Sequence, residues 1–334
     1  MQRCGRATRR QIAFGLAAAG LGLGVRQRLS AEGDAAAAFP ARPIRIVVGF
    51  GPGGGNDILA RLLAQKLSER LGQPAVVENK PGAGARLATE FVAKAAPDGY
   101  TLLVGATGAM TINPAVYSQL RYDPLRDFVP ISMLASFPLL LCVRADAPVK
   151  TVAELVAYSR ANPAQANYAS SSAAFQLASE LFKLKTGAPL EHIAYKSSGE
   201  MVTAVLRGEV LVALADAPAV AGQIKAGRIT ALASTAAAPM PDYPEVPTMA
   251  QAGVADLEVR LWSGLFAPAA TPDSIVKKLE RELIEIIGLP DVRERLAGLA
   301  VDPGGGPGQE LAARIAAEIP RWTAIAKAAN IKLD

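Results

Sequence analysis

A single histidine, two cysteines and 5% aromatic residues among 334 leave this chain short of the side chains on which much enzyme and metal chemistry depends. The histidine, His192, falls inside the apolar strand-like stretch "HIAY", where a packed or strand-edge role fits better than a catalytic one. No metal-ligand cluster, no G-x-S-x-G turn and no closely spaced pair of catalytic carboxylates stands out, which speaks against hydrolases and metalloenzymes. Basic runs interleaved with aromatics are also missing, so nucleic acid is not an expected partner.

No apolar run reaches the about 20 residues of a membrane-spanning helix. The uncharged stretch from Ile12 to Val25 follows Arg3, Arg6, Arg9 and Arg10 and precedes the small residues Ala35 to Ala38. That order reads as a secretory signal over residues 1–38, cleaved near Phe39, which would place the mature protein in the periplasm; a membrane anchor is the alternative. Arg9-Arg10 after Thr8 resembles a twin-arginine export signal, with the general secretory route as the other possibility. Cys4 precedes the apolar run and is not placed as a lipoprotein cysteine. Cys142, in "LLLCV", is then the only cysteine of the mature chain and reads as a buried thiol. The charge divides in the same way: the whole chain is +5, but six arginines lie in the leader, leaving 29 basic against 28 acidic residues.

What the chain does have is a rhythm. From Ile44, short apolar runs alternate with amphipathic segments: "IRIVV", a helix from about Ile58 to Leu71, "AVVE", a helix from about Leu87 to Ala95, then "YTLLVG". The alternation returns with "ANYAS", a helix from about Phe175 to Lys185, "HIAY", a helix from about Glu200 to Leu206, "VLVALAD" and "ITALAS". Two α/β units with largely parallel sheets are expected, followed by three helices near Pro272 to Ile287, Asp291 to Leu299 and Gln309 to Ala329. Back-to-back apolar runs around Pro138 suit strands that leave one unit and enter the other, and "LEVRLWSGLFAP" suits the return. Two crossings imply a hinged cleft, with residues 39–140 and 262–334 forming one lobe and 141–261 the other.

The stretch "IVVGFGPGGGNDILARLL" sets Gly49, Gly51 and Gly54 at G-x-G-x-x-G spacing, and Glu78 ends the next strand as a ribose-binding acid would. Glu78 lies 24 residues beyond Gly54, however, and Asp57 at the helix start would itself satisfy the backbone donors and compete with a pyrophosphate. A helix N-terminus after a glycine loop also binds carboxylates, and that reading fits better than a dinucleotide. A tight turn with no ligand is the third reading.

Those residues, together with "AAPDGYTLLVGATGAMTINPAVYSQLRYDPLRDFVPIS", "YASSSAAFQLASELFKLKTG", "HIAYKSSGE", "VLVALAD", "IKAGRITALAST" and "PEVPTMAQAG", resemble the Bug-type extracytoplasmic receptors of tripartite tricarboxylate transporters, from about Arg42 to the C-terminus. The resemblance implies a type II periplasmic-binding-protein clamshell. It further implies a monomer without cofactor or catalysis that holds a small organic anion, commonly a carboxylate, between its lobes and delivers it to membrane permease subunits. A sensor that presents its closed form to a membrane partner is the alternative.

By the same resemblance the pocket would use the loop Gly51, Pro52, Gly53, Gly54, Asn56 and Asp57, with Phe50 as an apolar wall and the N–H groups of Gly53 and Gly54 facing a ligand carboxylate. Thr107 and Gly108 of "GATG" would form a second loop, with the Thr107 hydroxyl donating. Ser170, Ser171, Ser172 and Ala173 would face them from the other lobe, unless the serines only cap a helix. Lys196 would attract an anion or be simply solvated, and Asp216, at the end of "VLVALA", would accept from the ligand or a water, or cap the next helix. Two departures bear on specificity: "YASSSAAFQ" is shorter than the serine and glycine loop of many relatives, and Ala85 stands in "PGAGA" where glycine is usual.

Overall fold

The computed structural model describes residues 39–328 and 331–332; the predicted signal segment lies outside the described residues. The first unit begins with β1 (Ile44–Val48), α1 (Gly55–Leu71), β2 (Ala75–Asn79), α2 (Arg86–Ala93) and β3 (Thr101–Ala106). A wide π-helical turn, Gly108–Ile112, runs into the short helix α3 (Asn113–Val116). The 17-residue strand β4 (Phe128–Arg144) then leaves this unit. The second unit contains α4 (Val152–Ala161), β5 (Asn167–Ser170), α5 (Ala173–Thr186), β6 (Glu191–Ala194), α6 (Ser198–Arg207), β7 (Val212–Asp216), α7 (Ala217–Lys225) and β8 (Ile229–Ser234). The chain returns through β9 (Arg260–Pro268) and ends with α8 (Asp273–Gly288), α9 (Pro290–Ala297), β10 (Asp302–Gly305) and α10 (Gly308–Ala328).

Side-chain alternation explains why the first sheet is covered on both faces. Along β1, Ile44, Ile46 and Val48 join one buried cluster with Leu59, Leu63 and Leu67 of α1, while Val47 joins a second with Ala88 and Val92 of α2. Leu102 and Val104 of β3 face the first cluster and Leu103 the second. Helices on both faces therefore follow from strands with nearly continuous apolar sequence.

The sheets are mixed rather than parallel, which corrects the sequence expectation. β1 pairs in parallel with β2 and β3, and β5 with β6 and β7. The crossing strands run the other way: β9 is antiparallel to β3 and β4, and β4 is antiparallel to β7, β8 and β10. The first sheet takes β9 and the first half of β4, the second sheet takes the other half of β4, and the strand that adjoins the βαβ strands is antiparallel to them in both, β9 beside β3 and β4 beside β7.

The two apolar runs around Pro138 are one strand that serves both sheets. From Phe128 to Pro138 it pairs with β9, and at Leu139 its partners become β7 and β8. Pro138 stands at the changeover, opposite Arg260. The second crossing is fastened to the first by Thr235, a fully buried residue whose Oγ1 accepts from the Leu139 N–H at 2.8 Å and donates to the Val259 carbonyl at 2.6 Å. This is a type II periplasmic-binding-protein clamshell, two α/β lobes joined by two crossing strands. Among the described residues no helix is long and apolar enough to cross a membrane.

Replacing Thr235 by Val leaves a buried N–H and a buried carbonyl without their side-chain partner, each at a cost of about 1–3 kcal/mol. Thr235→Val should therefore lower the urea midpoint sharply while Thr235→Ser stays near wild type; equal midpoints for all three would refute the fastening role.

Candidate ligand-binding cleft

The glycine loop after β1 turns into α1 two residues earlier than Asp57, with Gly54 as the N-cap residue and no side chain capping it. Asp57 is 3% exposed and points back into its own loop. Its carboxylate accepts from the Gly53 N–H at 3.0 Å, from Asn79 Nδ2 at 2.9 Å and from Arg61 Nε at 2.9 Å, and Arg61 Nη2 lies 2.9 Å from its other oxygen. Burial alone would raise the Asp57 carboxyl, but hydrogen bonds from Arg61, Asn79 and Gly53 outweigh it and hold the group below the usual carboxylate range. Asp57 and the Gly53 N–H are therefore internal staples of the loop rather than ligand contacts, a correction to both expectations. Phe50 is buried in the main core and its carbonyl accepts from Asn79 Nδ2 at 2.9 Å. Pro52 and Gly53 lie on the exposed side of the loop.

Asn56 remains available in part: its Oδ1 accepts from Ser263 Oγ at 2.6 Å, which orients the amide and leaves its Nδ2 as a donor. Thr107 does not. Its fully buried hydroxyl donates to the Trp262 carbonyl at 3.1 Å and accepts the Trp262 N–H at 2.6 Å, tying β3 to β9, so the expected donor is already committed. Gly108 faces the other lobe instead, where a Cβ added to it would lie 3.6 Å from Ser172 Oγ.

On the second lobe the three serines diverge. Ser170 Oγ lies 2.6 Å from His192 Nε2, and that imidazole lies beside the Tyr168 ring at 5.2 Å. Burial pushes the His192 pKa down. Ser171 Oγ is buried without a hydrogen-bond partner among the described residues, and Ser172 is the N-cap residue of α5, although its side chain makes no capping bond. Ala173 opens that helix. Lys196 is exposed and contributes backbone, its carbonyl accepting the Gly51 N–H at 3.3 Å from the opposite lobe.

Asp216 decides the character of the cleft. It is the N-cap residue of α7, yet its side chain does not cap α7. Its Oδ2 accepts from the Gly55 N–H at 2.8 Å, across the cleft, at the first residue of α1. The residue is 1% exposed, and its Oδ1 has no partner among the described residues. Burial raises its carboxyl above the ordinary value, and the Ser198 hydroxyl, its own backbone N–H and the Gly55 amide offset only part of that. Gly55 must be glycine for this approach, since a Cβ there would lie 2.0 Å from Asp216 Oδ2. A second close approach brings Gly199 against the glycine loop, where a Cβ would meet the Pro52 carbonyl oxygen at 3.1 Å.

Three helices, α1, α5 and α7, thus begin at the junction of the lobes without a cap from their own N-cap residues, and the first amide of α1 is taken by Asp216 from the other lobe. Unsatisfied amides and aligned dipoles make such ends favourable places for negative charge. Sequence reasoning missed Asn79, Arg61, Ser197 to Gly199 and Ser263. Asn79 was within reach, one position past the singled-out Glu78, which alternation turns outward to pair with Arg45 and Lys80.

This architecture has known counterparts. Residues 59–331 match the model of the tripartite tricarboxylate transporter family receptor. The chain belongs to that receptor family. BugT of Bordetella pertussis is 35% identical over 298 residues, covering 88% of this chain and 91% of BugT. Among solved structures, R. palustris Rpa4515 with adipate has a TM-score of 0.85 at 37% identity and covers 88% of this chain and 99% of its own. MatC from Rhodopseudomonas palustris with bound malate has a TM-score of 0.82 at 32% identity, with 86% and 99% covered. The receptor family is a solute-binding one, and these two relatives hold carboxylates.

The staple on Asp57 has a pH signature. A carboxyl held below its unfolded pKa of about 3.9 contributes stability that is complete above that value and is lost as pH falls through the lower folded value. Asp57→Asn should cost about 1.5–3 kcal/mol at pH 7, the worth of a hydrogen bond to a charged group. Its gap from wild type in urea melts should close as pH drops below about 4; a gap that stays constant with pH would refute the assignment.

Proposed function

We propose that the protein is exported, loses residues 1–38, and captures a small organic anion, a carboxylate, between lobes formed by residues 39–140 with 262–334 and by residues 141–261. Loaded with its ligand, it would act as a periplasmic monomer that hands the anion to the permease subunits of a tripartite transporter, by binding alone and without cofactor. The observation that carries this reading is that α1, α5 and α7 all begin at the lobe junction without a cap from their own N-cap residues. Support comes from the donors that the loops do not spend on themselves, Asn56 Nδ2 and Ser171 Oγ, and from relatives whose bound adipate and malate are both carboxylates.

Magnitudes are compatible with reversible capture. Each hydrogen bond to a charged group contributes about 1.5–3 kcal/mol net. A handful of them offsets the ordering cost and leaves affinity in the micromolar range, near 8 kcal/mol.

A thermal-shift screen of organic acids, amino acids and nicotinate-like aromatics, with NAD and FAD included, tests the reading, because a ligand of the folded state raises Tm by mass action. A carboxylate should give the shift. Ser171→Ala should weaken that carboxylate by about ten- to a hundredfold, the equivalent of one bond to a charged group. Gly54→Val should abolish the shift, since a Cβ at Gly54 already lies within 3.5 Å of the Ser198 backbone. A response to NAD or FAD and to no carboxylate would overturn the proposal. Mass spectrometry of the native protein should find an N-terminus near Phe39; an intact leader would sink the export claim.

A further inference from the structure

In the closed clamshell a carboxylate already stands at the N-terminus of α1, and it belongs to the protein. Asp216 Oδ2 reaches from the end of β7 in the second lobe to the Gly55 N–H in the first, at 2.8 Å and out of contact with water. The donor it takes is one that an incoming anion would need, because the first amides of a helix have no partner within the helix. The Asp216 Cα is paired with Leu139, the first residue of β4 to serve the second lobe, so the acid is seated on the crossing itself. Its position cannot drift with a mobile loop.

We propose that Asp216 is an internal stand-in for a ligand carboxylate, a latch that holds the two lobes together through the Gly55 amide and that an entering anion must displace. The inference rests on the carboxylate reading of the cleft and adds a competitor to it. The Gly51 N–H to Lys196 carbonyl bond, at 3.3 Å, is the neighbouring contact between the lobes and is the longer of the two. A buried acid that has the Gly55 amide on one oxygen, Ser198 beside it and no partner for Oδ1 among the described residues is a costly arrangement for a receptor that only needed to pack its lobes. It is a suitable one for a contact that must give way, because displacement returns the carboxylate to partners it lacks in the closed state.

The latch can be tested on the purified, unliganded protein by hydrogen exchange on peptides spanning residues 50–63 and by small-angle scattering. Asp216→Ala removes the acceptor. Gly55→Ala attacks the same bond from the opposite lobe, leaves the Asp216 charge intact, and suits a first helical position. Each should speed exchange at the start of α1 by about tenfold or more, the equivalent of 1.4 kcal/mol, and enlarge the radius of gyration. The double variant should go no further than either single one. Exchange within β4 serves as the folding control. If Asp216→Ala does not fold, Gly55→Ala carries the test alone. Unchanged exchange and dimensions, or single effects that simply add, would overturn the latch. Both readouts are made without any carboxylate, so a failed latch leaves the ligand screen standing and a failed screen leaves the latch result standing.

Discussion

One strand is shared by two sheets, and the cleft depends on that sharing. Because β4 gives its first half to one lobe and its second half to the other, the residues at its changeover belong to both sheets at once. Leu139 donates to Thr235, which in turn holds Val259 at the start of the returning crossing, and lies opposite Asp216 on β7. A rotation of the lobes is therefore felt within one residue pair of the group that bridges the cleft. Motion and recognition need no long pathway between them, since the same stretch of backbone carries both.

The polar design follows from where the helices begin. In each lobe the strand-to-helix turns converge on the junction, and α1, α5 and α7 arrive there without side-chain caps. α6 is different: Ser197 accepts the Glu200 N–H at 3.2 Å and Glu200 accepts the Lys196 N–H at 2.9 Å, so this helix end is already satisfied. The contrast separates a helix end closed by its own residues from ends that are not, the first amide of α1 being taken only by a side chain from the other lobe.

Much of the fold was legible because strands buried on both faces read as apolar runs and the helices between them as periodic ones. "IRIVV", "ITALAS" and the α5 stretch lie close to where the pattern puts them. β10 was hidden by its own composition, since "DPGG" carries no apolar signal and exists as a strand only through pairing with β4. The direction of β9 and β4 was equally unreadable, because an apolar run does not say which way its partner points. At the lobe junction, the glycine loop, Asn56, Ser171 and Asp216 were singled out by residue type and position, and the structure describes their surroundings. Thr107 and Gly53 were misassigned for a physical reason: a donor next to a cleft looks free in sequence, while Trp262 and Asp57, distant or turned back, had already taken it. The departure at Ala85 is visible as geometry, a non-glycine residue held at φ 70, in a region that disfavours a Cβ by about 1–2 kcal/mol.

Pro138, at the changeover of β4, has one more consequence. A strand passing between two sheets would ordinarily carry an N–H at the seam, and any twist of one sheet against the other would strain that bond or break it. The proline ring has no such hydrogen to give. Pro138 shares that property with Pro130, nearer the start of the strand, but of the two only Pro138 stands where the pairing partners change, and its fixed φ keeps the chain extended there.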